Sequence, residues 1–328
     1  MPATADLLEQ LAATSVPGGT APSKRALVIA NPYATTVSDR LKNLVLYALR
    51  GRYDVDARDT QSPGHATEIC REAAHEGYDL VIAFGGDGTV SEAADGLAGS
   101  ATPLTCLPGG ATNVYCRMLG IPNEIVDATE HLLRLADMWA PRAVDLGCVN
   151  GRYFLFSAGL GLDANVVERV DAHPRLKARL GPWFFAEVAT VTFVRRYLVR
   201  PPRLELTLPD GGTLSGVTAV VQNHAPYSYF GRRPLHIAEG ATLQSHTLSG
   251  GVLSRARPLD MPGIARRLLS RRARVLDHRA LAGFSHVTTL HARSTDERPL
   301  PLQVDGDYIG EVEEAHFEVA PGALLVVS

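Results

Sequence analysis

Four short apolar runs alternate with helix-patterned segments in the first third of the chain, and this alternation constrains the fold most strongly. Each run is too short for a helix and ends at a loop-forming residue, so each predicts a buried strand. Strands separated by helices form a parallel sheet that is covered on both faces. The predicted strands cover residues 26–30, 53–57, 80–84 and 104–107.

The pattern changes near residue 142, where helices give way to strand-like segments separated by turns. Segments 204–208 and 216–221 flank an Asp-Gly-Gly turn and predict a hairpin, and segment 287–292 predicts a further strand. A helical insertion is expected over about 175–200. We therefore predict a flexible lead-in over 1–23, an α/β domain over 24–142 and an all-β domain over 143–328.

Composition excludes several classes of protein. The formal net charge is −3, which argues against a partner bound through nucleic-acid phosphates. No apolar run reaches the roughly 18 residues of a membrane span, and the acidic start of the chain does not resemble a signal peptide. The four cysteines lack the spacing of a zinc site. We expect a cytoplasmic protein.

The loop Gly85-Gly86-Asp87-Gly88-Thr89 follows a predicted strand and opens a helix. Glycines let a polyphosphate approach the backbone, and a helix N-terminus favours an anion. Asp87 would repel phosphate by itself, so it needs a role such as binding Mg²⁺ or a ribose hydroxyl. The alternative is a tight strand–helix turn with Asp87 as its cap, but the specific string favours phosphate binding.

A second loop of the same kind contains Gly110, Thr112 and Asn113 and also follows a predicted strand. Thr112 or Asn113 is equally suited to capping the next helix. Asn31 and Thr60 follow the first two strands. Because the carboxyl ends of parallel strands meet at one edge, we expect these loops to form one ligand site.

Two acids surround a glycine near the C-terminus, Asp305 and Asp307. Phosphoryl transfer to an alcohol uses a carboxylate within reach of the attacking hydroxyl, although Asp-Gly turns are common without such a role. Residues 159–164 match a dinucleotide fingerprint formally, but they lie in a β-rich region. We predict instead a loop that lines a cleft, with Asp163 facing it.

Together, and in this order, these motifs resemble the diacylglycerol kinase catalytic family, which includes bacterial diacylglycerol kinases, broader lipid kinases and sphingosine kinases. The resemblance covers about 25–328. It implies a three-layer α/β nucleotide domain followed by a β-sandwich, the fold shared with NAD kinases. It also implies transfer of the γ-phosphoryl group of ATP, with Mg²⁺, to a lipid hydroxyl such as that of diacylglycerol or a sphingoid base.

The resemblance assigns roles to residues of this chain. Asp307, or less readily Asp305, would accept the hydroxyl proton, and Asp87 would take part in catalysis through the nucleotide-bound Mg²⁺. Asp307 stands where the family usually has Glu, and Gln244-Ser245-His246 replaces an acidic segment that holds a structural Mg²⁺ in many members. We therefore expect no structural metal there. The residues implied to hold ATP are Asn31, Thr60, Gly85, Gly86, Asp87, Gly88, Thr89, Ser91, Glu92, Gly110, Thr112 and Asn113.

The implied partner is a lipid alcohol, reached by transient contact with the inner membrane surface from the cytoplasm. An apolar helix within 180–199 and a basic segment at 264–275 are candidates for that contact. A homodimer is left open. The alternatives are an NAD kinase, a nicotinamide-dependent oxidoreductase, and a catalytically impaired protein that binds lipid or nucleotide.

Overall fold

The computed structural model of the chain describes residues 7–8, 24–34, 36–173, 176, 182–198, 201–270, 272–296 and 298–328. Most of the predicted lead-in over 1–23 lies outside this range. The chain divides into two compact units. The first takes in the chain up to Val144 together with Gly322–Ser328, and the second is Asp145–Pro321.

The described part of the first unit contains the predicted parallel sheet. Its strands run in the order β2-β1-β3-β4, and every pair is parallel. β3 and β4 are buried along their whole length, as expected for strands that are covered on both faces. The strands are β1 (Lys24–Ala30), β2 (Tyr53–Asp59), β3 (Leu80–Gly85) and β4 (Leu104–Pro108).

Local signals in the sequence set the ends of the helices in this unit. The Ser38 hydroxyl accepts a hydrogen bond from Leu41 N–H (3.3 Å) and caps the first helix. Gly77 ends the second helix in the left-handed conformation (φ 71°). The helices are α1 (Asp39–Leu49), α2 (His65–Glu76), α3 (Asp87–Leu97), α4 (Val114–Met118) and α5 (Ile125–Leu135).

The end of the chain returns to the first unit, which the sequence analysis does not anticipate. Val326 pairs in parallel with Leu104 of β4, and Val327 N–H donates to the carbonyl of Leu104 (3.0 Å). The last strand, Glu314–Val326, therefore begins in the second unit and ends in the first. Only long-range pairing decides this arrangement.

The described part of the second unit is a β-sandwich. One antiparallel sheet has the order β14-β13-β10-β7-β16-β17, and β9-β8-β15-β18 with β5 and β6 form the other layer. Apolar residues from both layers share one core that includes Leu160, Val221, Leu290 and Phe317. The strands are β5 (Arg142–Val149), β6 (Arg152–Phe154), β7 (Ser157–Gly161), β8 (Leu204–Thr207), β9 (Thr213–Gly216), β10 (Thr218–Gln222), β11 (Ser228–Phe230), β12 (Arg233–Leu235), β13 (Leu248–Leu253), β14 (Leu281–Val287), β15 (Thr289–Ser294), β16 (Leu300–Val304), β17 (Asp307–Val312) and β18 (Glu314–Val326).

The fold class predicted from the sequence is confirmed, but three local expectations are wrong. β8 forms its hairpin with β9, whereas β10 belongs to the other sheet. The expected strand over 287–292 is broken at Thr288, and its two parts lie in different sheets. The segment after Gly161 is a helix instead of a loop.

The helices of this unit are α6 (Leu162–Asp171), α7 (Pro182–Thr192) and α8 (Met261–Leu268).

Helices in the described residues fall short of a membrane span, because none combines sufficient length with sufficient apolarity.

Candidate functional site

The two glycine loops of the first unit touch each other through their backbones. Gly85 and Pro108 are register partners in β3 and β4, so both loops start at the same edge of the sheet. A Cβ atom on Gly110 would lie 2.8 Å from the Cα of Gly86, closer than real contacts allow. Only glycine fits at position 110, and the predicted proximity of the two loops is present.

Helix α3 starts directly at this contact. Gly86 is its N-cap residue and has no side chain that could cap the helix. The first N–H groups of a helix have no intrahelical partner and carry the positive end of the helix dipole. The edge of the sheet therefore offers backbone donors at a place where an approaching phosphate meets no Cβ from Gly86.

Asp87 connects the two loops. Its Oδ1 accepts a hydrogen bond from the N–H of Tyr115 (3.1 Å), in the first turn of α4. Helix α4 begins only at Val114 and holds five residues. A helix of that length adds little dipole, so the case for a phosphate site rests on α3 and the backbone of the loops.

Asn113 gives the second loop its shape. It adopts a left-handed conformation (φ 50°), and its Oδ1 accepts a hydrogen bond from Gly110 N–H (2.8 Å). Its Nδ2 donates to the Gly110 carbonyl and to Asn123 Oδ1, both at 2.9 Å. Asn113 is thus buried and engaged within the loop, whereas the neighbouring Thr112 is partly exposed.

The ends of the first two strands lie beside the glycine loop, as expected from the parallel sheet. Asn31 Nδ2 donates to Thr89 Oγ1 at the start of α3 (3.1 Å). Thr60 N–H donates to the carbonyl of Ala30 (2.9 Å), next to Asn31. Ser91 lies two positions after Thr89 in α3, on a different face of the helix, and is buried. Asn31, Thr60 and Thr89 thus lie at the same edge as the glycine loops.

Glu92 has a structural task that the sequence analysis does not predict. Its Oε1 accepts from Gly64 N–H (2.8 Å), and its Oε2 accepts from Ala66 N–H (3.2 Å). It therefore caps α2, whose own N-cap residue is a glycine. Because glycine has no side chain, the sequence itself indicates that the start of α2 needs an acceptor from elsewhere in the chain.

The two late acids of the second unit lie in opposite surroundings. Asp305 is 3% exposed, and its carboxylate accepts from the N–H groups of Leu155 (2.7 Å), Phe156 (2.9 Å) and Ser157 (3.1 Å). Asp307 opens β17 and is partly exposed. Asp305 therefore holds the loop before β7, and Asp307 is the better candidate for a reacting group.

A partly buried polar cluster in the second unit centres on Asp163. The Tyr227 hydroxyl donates to its Oδ1, and Gln303 Nε2 donates to its Oδ2 (2.6 Å). Burial raises the pKa of the Asp163 carboxyl, and it raises the pKa of Tyr227 well above the usual value. A Cβ on Gly159 would lie 2.0 Å from Asp163 Oδ2, so this glycine makes room for the carboxylate.

His246 pairs with a buried acid. Its backbone N–H donates to Asp145 Oδ2 (2.7 Å), and its Nδ1 lies 2.9 Å from Asp145 Oδ1. The Asp145 side chain is only 1% exposed, so these contacts satisfy a carboxylate that would otherwise be costly to bury. Of the sequence Gln244-Ser245-His246, the histidine thus partners an acid from β5.

The amino-acid sequence resembles those of known proteins. Residues 25–148 match the family model of the diacylglycerol kinase catalytic domain. The chain is 36% identical over 165 residues to a diacylglycerol kinase of Bacillus subtilis (strain 168), covering 48% of this chain and 52% of that protein. It is 33% identical over 168 residues to a diacylglycerol kinase of Staphylococcus aureus (strain bovine RF122 / ET3-1), covering 49% and 51%. The matched stretch thus spans about half the length of these relatives.

The fold also has solved counterparts. A crystal structure of a diacylglycerol kinase from Bacillus anthracis str. Sterne superposes with a TM-score of 0.70. The match covers 94% of this chain and 98% of that one, at 24% sequence identity. At that identity the likeness establishes the fold.

Proposed function

We propose that this chain is a member of the diacylglycerol kinase catalytic family and acts as an ATP-dependent lipid kinase that transfers the γ-phosphoryl group to a lipid hydroxyl. The observation that carries the proposal is the backbone contact between Gly86 and Gly110 at the N-terminus of α3. Similarity to diacylglycerol kinases favours a lipid acceptor over the dinucleotide of an NAD kinase.

We assign the phosphates of ATP to the edge of the first-unit sheet. The N–H groups at the start of α3 would donate to them, and Asn31 would hold Thr89 in place through its amide. Thr60, Ser91, Gly110 and Thr112 line or support the same edge. Glu92 and Asn113 belong to the proposed set as residues that fix the loops, because their side chains are hydrogen-bonded within the protein.

Mg²⁺ usually binds through one or two carboxylates together with the phosphates of a nucleotide, and it would neutralise phosphate charge here. The residues fit such an ion, because Asp87 supplies a carboxylate at the start of α3. Its hydrogen bond with Tyr115 N–H holds the side chain at the contact between the two loops. We therefore propose Asp87 as the residue that reaches the nucleotide-bound cation.

We propose Asp307 as the acceptor of the proton from the lipid hydroxyl. Its partial exposure at the start of β17 supports the choice, whereas the Asp305 carboxylate is engaged with backbone N–H groups. Positioning and charge neutralisation would provide most of the rate, because a loose phosphoryl transition state asks little of a base.

The test is incubation of the protein with radiolabelled ATP and either a panel of lipids in mixed micelles or NAD, followed by separation of the labelled products. We expect label in diacylglycerol or another lipid alcohol, and none after the Asp87→Asn change. Label in NAD alone would replace the proposal by an NAD kinase. Nucleotide binding without transfer to any acceptor would replace it by a binding protein.

We further propose transient membrane contact through α7 and α8. Trp183 of α7 is 72% exposed, and its ring meets Phe230 edge-on at 5.5 Å. None of the described residues of α8 is buried, and its last turn carries Arg266 and Arg267. An exposed tryptophan and arginines suit an interface with anionic headgroups.

Sedimentation with anionic vesicles tests the membrane contact. Trp183→Ala should release the protein, whereas Tyr47→Ala, which removes an exposed aromatic of α1, should not. Equal binding by both variants would contradict the assignment. Light scattering in the same buffer decides whether the protein forms a homodimer.

A further inference from the structure

Two histidines face each other on the solvent side of the second layer of the sandwich. His291 of β15 and His316 of β18 are register partners, and their rings stack with centroids 4.2 Å apart. Glu314 precedes His316 by two positions, so it lies on the same face of β18. The neighbours Ala292, Ala315 and Phe317 point the other way and are buried in the core.

The polar atoms of these three side chains converge. Glu314 Oε2 lies 3.4 Å from His291 Nε2 and 3.8 Å from His316 Nε2. One ligand atom from each residue lies within 4.8 Å of the other two. His291 Nε2 is shielded from solvent and makes no hydrogen bond. A shielded ring nitrogen without a hydrogen-bond partner is costly to bury, and a bound ion would satisfy it.

The backbone under this cluster is held firmly. Asn150 Nδ2 donates to the Glu314 carbonyl (3.0 Å), and its Oδ1 accepts from His316 N–H (2.8 Å). Asn150 N–H also donates to the His316 carbonyl (3.1 Å). Pairing of β15 with both β8 and β18 fixes His291 in turn. The backbone that carries the three ligands therefore needs little ordering on ion binding, and only the side chains must adjust.

The arginine opposite Glu314 in the register of β15 and β18 is paired with another acid. Arg293 lies two positions after His291, and its guanidinium forms two hydrogen bonds with Glu205 Oε1, at 2.8 and 3.1 Å. Because Arg293 pairs with Glu205, it does not compete with the two histidines for Glu314. The cluster therefore combines two imidazoles with one carboxylate.

We propose that His291, Glu314 and His316 bind a divalent transition-metal cation of the Zn²⁺ class. Tetrahedral Zn²⁺ with bonds of about 2.0–2.1 Å places its ligand atoms about 3.4 Å apart, close to the spacing between Glu314 and His291. Two imidazoles and a carboxylate suit Zn²⁺, whereas Mg²⁺ prefers oxygen ligands. The two rings must turn out of their stacked arrangement so that both lone pairs point at the ion.

A fourth coordination position would remain for water or a small anion. Both histidines line a groove of about 390 Å³ whose walls include Asn150, Thr207 and Pro209. Three protein ligands with one open position beside a groove are typical of an accessible metal site. The proposal is independent of lipid phosphorylation and rests only on these side chains.

The test is equilibrium dialysis of the metal-stripped full chain against Zn²⁺ in the presence of excess Mg²⁺. We expect one saturable Zn²⁺ per chain that Mg²⁺ does not displace. The affinity should fall at least about tenfold in His316→Gln and in Glu314→Gln. Co²⁺ should give the visible absorption bands of a tetrahedral site with the wild-type chain and lose them with both variants.

His75→Gln provides the matched control, because His75 is an exposed histidine on α2 of the first unit. It should bind Zn²⁺ as the wild type does. Thermal unfolding checks that every variant folds, and Zn²⁺ should raise the Tm of the wild type more than that of His316→Gln. An absence of saturable binding, or equal affinity in all variants, would show that the three side chains form only an ion-pair cluster.

Discussion

The two units assemble their candidate residues by different routes. In the first unit, loops that follow successive strands meet because parallel strands end at one edge of the sheet. In the second unit, Asp163 meets partners that lie 64 and 140 positions away, Tyr227 and Gln303. Short motifs therefore predict neighbours well where topology dictates them, and poorly where distant strands must first pair.

The largest effects should come from substituting Asp305 and Asp307, which the sequence alone offers as alternative proton acceptors. Asp307→Asn should lower lipid phosphorylation about 10²- to 10⁴-fold with little change in stability, because the group is proposed to accept a proton. Asp305→Asn should instead lower the free energy of unfolding by about 3 kcal/mol, because it weakens three buried backbone contacts.

Urea unfolding and single-turnover assays on both variants separate these outcomes. A stable, inactive Asp305→Asn protein together with a fully active Asp307→Asn protein would reverse the two roles.

The contact between the glycine loops is tested by two alanine substitutions. Gly110→Ala should destabilise the first unit by about 1–3 kcal/mol, because the new Cβ would lie 2.8 Å from the Cα of Gly86. Gly86→Ala should be tolerated, since its Cβ would lie 3.5 Å from the nearest atom. Thermal unfolding of the two variants measures the difference.

ATP binding by the Gly86→Ala variant gives a second test of the contact between the glycine loops. If phosphates approach the backbone at Gly86, the Gly86→Ala protein should stay folded but bind ATP more weakly than the wild type. Unchanged ATP affinity in a calorimetric titration would place the phosphates elsewhere.

A smaller effect is expected from Glu92. Glu92→Gln keeps one acceptor oxygen but loses the charge at the start of α2, so it should cost about 1 kcal/mol of stability. Glu68→Gln, an exposed change in the first turn of α2, removes a charge at the same helix start without touching the hydrogen bonds of Glu92, and it should cost less stability. A loss of ATP affinity in Glu92→Gln without any loss of stability would point to direct nucleotide contact instead.

The smallest effect concerns the pH dependence of the second unit. Burial raises the pKa of Asp163, so the folded protein holds this proton more tightly than the unfolded chain. Its contribution to stability is therefore greatest at low pH and declines as pH rises above the unfolded pKa of about 3.9. The hydrogen bond from Tyr227 limits that rise of the pKa.

Tyr227→Phe should raise the pKa of Asp163 further, so the decline in stability should extend to higher pH. Unfolding free energies from about pH 4 to about pH 7 measure this, since the window begins near the unfolded pKa. The same pH profile in both proteins would show that Tyr227 does not act on Asp163.

Much of the fold and part of the candidate site can be predicted from the sequence alone. Strand–glycine–helix order determines the parallel sheet, and the glycines at 86 and 110 indicate the contact between its loops. The order of the motifs also predicts the sandwich that follows. These features depend on short stretches of sequence or on the common edge at which parallel strands end, so the sequence alone predicts them.

Tertiary structure alone decided the rest. Asp305 and Asp307 are two positions apart, yet one is buried against backbone N–H groups and the other is partly exposed. The capping of α2 by Glu92, the return of Val326 to β4 and the meeting of His291 with His316 all join distant parts of the chain. Such contacts depend on which strands pair and in what register, and no short stretch of sequence contains that information.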